Sequence, residues 1–219
     1  MHYDYFDFQH TMTDAERSRW LREQYELILT RVSDGSGRKI NRLLKFLRES
    51  DFYTVPSRHH SFVGGNAWHQ LETLAYAFEP LPPSASPELQ EWQRRWQAED
   101  RMSVAVVCLL HDICNAGYGG SIKVDYPQRI RPRHGRKSTY VLIDFLKFDL
   151  MFDENMAIIH HHHVTDEELR LHTLTDEDAS RVWDMPLYRM VVYCNQQSAD
   201  SRMTERQLQS SVQSVLQSL

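Results

Sequence analysis

Cysteine is scarce in this chain of 219 residues: Cys108, Cys114 and Cys194 are an odd and small set. That excludes a disulfide framework and predicts a reducing compartment. Long apolar runs are missing too, and no stretch approaches the roughly 18 residues that a membrane-spanning helix needs. The opening MHYDYFDFQH is polar, aromatic and slightly acidic, the wrong pattern for a secretory or transit leader. A cytoplasmic location is therefore the expectation. Positive charge is not in excess, with 25 Lys and Arg against 30 Asp and Glu and a net charge of -5. Binding to extended nucleic acid or an acidic membrane is not expected, although a local basic site remains compatible. Internal repeats and low-complexity tracts are absent, and strand signals are weak apart from a short hairpin pattern near residues 121–126.

What is present reads as an all-α protein. Hydrophobic residues at 41% and charged residues at 25% suit one globular domain. Its expected core is about 59–200, with an N-terminal helical extension over 1–58 and a C-terminal helix over 204–219. Thr13 and Glu16 form a capping-box pattern ahead of Trp20, Leu21, Tyr25, Ile28 and Leu29 at helical spacing. A glycine-bearing turn at 34–37 precedes a basic amphipathic helix over 38–48. A loop with Pro56, Gly64 and Gly65 leads to a helix over 66–78, which Pro80, Pro82 and Pro83 end. Ser86-Pro87 starts another, and Met102 to Leu110 is apolar enough for a buried central helix. Residues 117–135 lack periodicity and form a long basic loop. Helices resume over 137–148 and 154–161, after a Thr165/Glu168 cap, and over 187–199 and 205–219. Trp92 and Trp96 are expected to pack on a neighbouring helix or a partner chain, and Tyr3, Tyr5, Phe6 and Phe8 to dock on the core. Leu208, Val212, Val215 and Leu216 make a face for the domain itself or for a partner, so self-association stays open.

Histidine is the abundant exception, with 12 residues, four of them consecutive at His160 to His163. Imidazole is the commonest protein ligand for transition metals. The sharpest motif is VAVVCLLHDICNAGY, where His111 and Asp112 close an apolar helical run. Burying an ionised carboxylate without a partner is expensive, and a metal ion resolves that cost. Neighbours on a helix point about 100° apart, so both reach one ion only at a helix end or with splayed side chains. Taken alone, such a pair is more simply a helix cap. It is accompanied by His69 in GGNAWHQLETLAYA and by Asp200, which ends RMVVYCNQQSAD.

One histidine, then His-Asp at the end of an apolar helix, then a late Asp: this order resembles the HD-domain metal-dependent phosphohydrolase superfamily. HHSFVGGNAWHQLETL, CLLHDICNAGY and QQSADSRM carry the resemblance over roughly His59 to Asp200. It implies a helical bundle that holds one or two divalent ions and hydrolyses a phosphomonoester or phosphodiester, with a small phosphorylated substrate of nucleotide type. The implied ligands of the first ion are His69, His111, Asp112 and Asp200. In members with two metals, a His-Gly and a histidine after Ala-Ile complete the second, which maps onto His134 and onto His161, with His160 as the near alternative. Asp112 would bridge the two ions. Iron or manganese suits such a set first, with zinc, nickel, cobalt or magnesium compatible. Asn115 stands where many members carry a lysine that neutralises phosphate, so the cation must come from elsewhere. Lys123, Arg131, Arg133, Arg136 and Lys137 in the basic loop are the candidates for substrate binding, with Arg133, Arg136 and Lys137 closest to catalysis, and His60 is a further substrate contact. A solvated basic loop is the plainer alternative. Two other functions fit the same scaffold, a di-iron oxygenase and a non-catalytic metal- or nucleotide-binding protein.

Overall fold

A computed structural model describes residues 11–128, 130, 134–163, 165–172, 175–200 and 203–219. Among these residues the chain is all-α, with eleven α-helices and no strand. The hairpin pattern near 121–126 is not realised; only an isolated bridge pairs Ser50 with Gly120.

Helix α1 (Asp14–Ser36) opens on the expected capping box, with Thr13 accepting from the Glu16 amide and Glu16 reaching back to Thr13. It continues through the sequence read as a turn and stops only at Gly37, whose φ of 70° ends the helix in the left-handed region. Short α2 (Asn41–Glu49) buries Leu43, Phe46 and Leu47. The loop that follows is tied down by α1. Arg17, itself buried, donates to the Val63 carbonyl at 3.0 Å and lies over the Phe62 ring, while Ser18 donates to the Tyr53 carbonyl.

The centre of the molecule is α3 (Gly65–Phe78), which is buried along nearly its whole length. It packs against α5 (Arg101–Leu110), α10 (Pro186–Asp200) and α11 (Glu205–Ser218). In α5 every residue from Ser103 to Leu110 is buried, as its composition predicts. Between α3 and α5, α4 (Pro87–Gln97) begins on the Ser86 cap with Pro87 in its first turn. It places Trp96 in the core, stacked on Tyr193 of α10 at 5.9 Å.

Past the basic loop, α6 (His134–Thr139) runs into a π-helical stretch, Tyr140–Phe145, and packs on α7 (Phe152–His160). The Thr165/Glu168 cap precedes α8 (Asp166–His172). Helix α9 (Asp176–Trp183) was not anticipated; its signal is the Thr175 side chain, which accepts from the Asp178 amide. Leu208, Val212, Val215 and Leu216 of α11 are buried within the chain itself. The N-terminal aromatics Tyr3, Tyr5, Phe6 and Phe8 lie outside the described residues. No helix among the described residues is long and apolar enough to cross a membrane.

Candidate metal centre

Two groups of potential ligands meet at Asp112. In each, the ligand atoms lie within 4.8 Å of one another: His69, His111 and Asp112 in the first, and Asp112, His134, His161 and His162 in the second. Four elements deliver them. His69 comes from the buried face of α3, and His111 and Asp112 from the point where α5 ends at Leu110. That helix end is what allows two adjacent residues to face one site. His134 is the first residue of α6, and His161 and His162 follow the last residue of α7.

Gly135 explains how α6 and α7 come close enough. A Cβ there would lie 2.2 Å from the Ile159 carbonyl oxygen, so only glycine admits this backbone approach. Gly65 does the same at the start of α3, where a Cβ would sit 1.8 Å from the His60 carbonyl oxygen.

The histidines are held by their far sides. His111 donates from Nδ1 to the Cys108 carbonyl at 2.9 Å, and His161 from Nδ1 to the Ile158 carbonyl at 2.7 Å. His69 Nδ1 lies 2.8 Å from the Ser198 hydroxyl, which donates to Glu72 at 2.7 Å. These contacts leave the Nε2 atoms of His111 and His161 turned to the centre, while Nε2 of His69 lies 2.8 Å from Asn195 Oδ1. At His111 that atom is buried and has no hydrogen-bond partner among the described residues. On Asp112, Oδ1 lies 2.6 Å from His134 Nε2, 3.0 Å from His161 Nε2 and 3.9 Å from His162 Nε2. Ligands around one ion at a bond length near 2.1 Å are separated by about 3–4 Å, which the His161 and His162 spacings match, while His134 sits at direct hydrogen-bond distance from the carboxylate.

Protonation at His69, His111 and Asp112 favours the same reading, whereas His134 has to give up a proton before it can ligate. Burial, reinforced by His111, drops the His69 pKa to about 3, and burial drops that of His111 to about 4, so both rings are neutral donors at pH 7. Burial alone would raise Asp112, but His111 and the hydrogen bonds from His134 and His161 hold it well below the ordinary carboxylate range. Burial works against a charged His134 as well; bonds to Asp112 and Cys114 outweigh it and push the ring up to about 11.

The structure sorts the expected residues. His69, His111, Asp112, His134 and His161 converge. His160 does not: its ring turns to His163, Nδ1 to Nδ1 at 3.2 Å, and His162 joins the group instead. Asp200 belongs to neither group. From the same helix, Asn195 places its Oδ1 2.8 Å from His69 Nε2. Helical geometry carries the signal for this. Val191, Asn195 and Ser198 recur at i, i+4 and i+7 on the inner face, while Asp200 lies about 200° around the helix from Ser198.

A cleft of about 470 Å³ opens onto the centre, lined by His69, Asp112, Asn115, His134, His162 and Asn195 and, toward the rim, by Pro56, Ser57, Arg58, His59 and Tyr118. Among the described residues, the expected basic-loop cations Lys123, Arg136 and Lys137 are not in this lining. Arg136 borders a separate groove with Tyr140 and Asp144, Lys137 lies 5.4 Å over the Tyr126 ring, and Lys123 is exposed outside the cleft. Arg131 and Arg133 fall outside the described residues. His60 is buried under α3 and pairs with Glu72 at 2.9 Å, so His59 takes the cleft position expected of it. Asn115 donates to Asp112 Oδ2 at 3.1 Å and to Asn66 at 2.9 Å, which fixes the carboxylate plane.

Compared with known families, curated proteins and solved structures, the chain has no match.

Proposed function

We propose that this chain is a metal-dependent phosphohydrolase of the HD-domain type, acting on a phosphomonoester or phosphodiester. The observation that carries the reading is His111 Nε2, a buried ring nitrogen without a partner among the described residues, beside a carboxylate that three further imidazoles approach. A buried polar atom of this kind is costly, and a divalent ion removes the cost. Imidazoles gathered around a single carboxylate suit iron or manganese, with zinc, nickel, cobalt or magnesium compatible. Such an ion, when bound, lowers the pKa of coordinated water and neutralises charge on phosphate.

The residues divide the work. Asp112 is shared by both groups. His69 and His111 complete the first, and His134, His161 and His162 the second. Asn115 orients Asp112, and Glu72 orients His69 through Ser198. The burial of Cys108, Cys114 and Cys194 as free thiols supports a reducing, cytoplasmic setting.

Elemental analysis of protein purified without chelator is the deciding experiment, paired with hydrolysis of a phosphate-ester panel and an oxygen-uptake control. About two ions per chain with phosphate release supports the proposal. Asp112→Ala is expected to lose metal and activity while keeping its helical circular dichroism. An Asp112→Ala protein that stays metal-replete and active would sink it.

A further inference from the structure

The rim of the cleft carries a second piece of chemistry. Tyr118 sits in a tight turn, Gly117-Tyr118-Gly119-Gly120, and leaves 55% of its surface exposed where it lines the cleft. An exposed aromatic is ordinarily free to move. Here the backbone on both sides is clamped by Asp51, whose Oδ1 accepts from the Gly117 amide at 2.7 Å and Oδ2 from the Gly119 amide at 2.9 Å. Gly117 has a φ of 88° and Gly120 of 75°, left-handed conformations that side chains rarely adopt. A Cβ on Gly120 would lie 2.5 Å from the Glu49 carbonyl oxygen, so the turn is pressed onto the end of α2. Tyr126 backs the Tyr118 ring at 6.1 Å. The ring is thus displayed on a fixed mount. Also on the rim is Arg58, exposed, the only Lys or Arg among the described residues that line the cleft.

We infer that Tyr118 and Arg58 form a recognition subsite for a nucleotide, with Tyr118 stacking on the base and Arg58 holding a phosphate oxygen toward the metal centre. This rests on the phosphohydrolase reading for the phosphate but not for the base. A cleft of about 470 Å³ is of the size that takes one small ligand. Every base has a π-face, so a lone tyrosine favours nucleotides over sugar phosphates without choosing among bases. The guanidinium fork gives paired, charge-assisted hydrogen bonds to phosphate. Asp51 is a positioning residue that acts through the turn.

The test is calorimetric binding to the metal-bound protein, with three probes: a non-hydrolysable phosphonate analogue of adenosine monophosphate, ribose 5-phosphate and inorganic phosphate. The nucleotide analogue is expected to bind about ten-fold tighter than ribose 5-phosphate, the size of one base–aromatic stack. Tyr118→Ala should close that gap without weakening ribose 5-phosphate, and Tyr118→Phe should keep it. Arg58→Ala should weaken all three probes and flatten their salt dependence, with Arg58→Lys recovering part. Equal affinity for the analogue and ribose 5-phosphate in the unaltered protein would overturn the subsite, as would equal weakening of both by Tyr118→Ala. Hydrolysis of phosphate esters with no such gap leaves the hydrolase and removes the subsite. A gap with no hydrolysis keeps the subsite and removes the hydrolase.

Discussion

At Asp112 one carboxylate is shared by two sets of imidazoles, and the hydrogen bonds behind those imidazoles decide how well it can serve both. His111 and His161 lean on backbone carbonyls, which no side-chain substitution can delete. His69 leans on Ser198, which can be deleted. Ser198→Ala removes both the contact to His69 Nδ1 and the link to Glu72. Metal affinity should fall about 10–100-fold, read by competition with a chromophoric chelator, while the same change at an exposed serine such as Ser210 should leave it untouched. A second buried charge tests the scaffold rather than the site. Arg38 pairs with Glu154 at 2.7 Å, and Glu154 is fully buried. Arg38→Met strands that carboxylate and should cost about 3–5 kcal/mol in urea unfolding.

Among the elements, α6 and α7 matter most, because their ends supply His134, His161 and His162. Gly135 sets their separation. Gly135→Ala must push the Ile159 carbonyl away, and overpacking of this kind costs about 1–3 kcal/mol. Metal content should fall from two ions toward one, since His69, His111 and Asp112 stand apart from that contact; an unchanged content of two would show that α6 does not position a ligand. These elements were legible in the sequence to unequal degrees. Helices with an apolar periodicity and a cap, such as α1, α4 and α5, declared themselves, and so did the meeting of His111 and Asp112 at the end of one. Asp200 was legible only as a carboxylate closing a helix; it stands outside both ligand groups, while its charge is felt at His59 on the cleft rim. The choice among His160, His161 and His162 was equally hidden: a run of identical residues has no pattern, and only the point at which α7 stops decides which rings turn inward. Arg58 was missed because it stands alone, whereas the loop at 123–137 gathers its charge in one visible cluster.

For the molecule as a whole, the candidate metal centre ties together α3, α5, α6 and α7, so ions held there as proposed would stabilise the folded chain against the unfolded one. Adding metal to about 1,000 times its dissociation constant contributes about 4 kcal/mol per site. For a chain of this size that corresponds to a rise of roughly 10 °C in Tm. Differential scanning fluorimetry should show the rise, chelator should reverse it, and Asp112→Ala should not respond. The same dispersal of ligands has a bearing on biosynthesis. A chain emerging from the ribosome exposes His69 first, His111 and Asp112 later and His162 later still, and α10, which carries the hydroxyl that steadies His69, comes last. A nascent chain offers only scattered imidazoles, none of them aimed. On the proposed reading, the choice of metal would fall to the folded domain and not to the nascent chain.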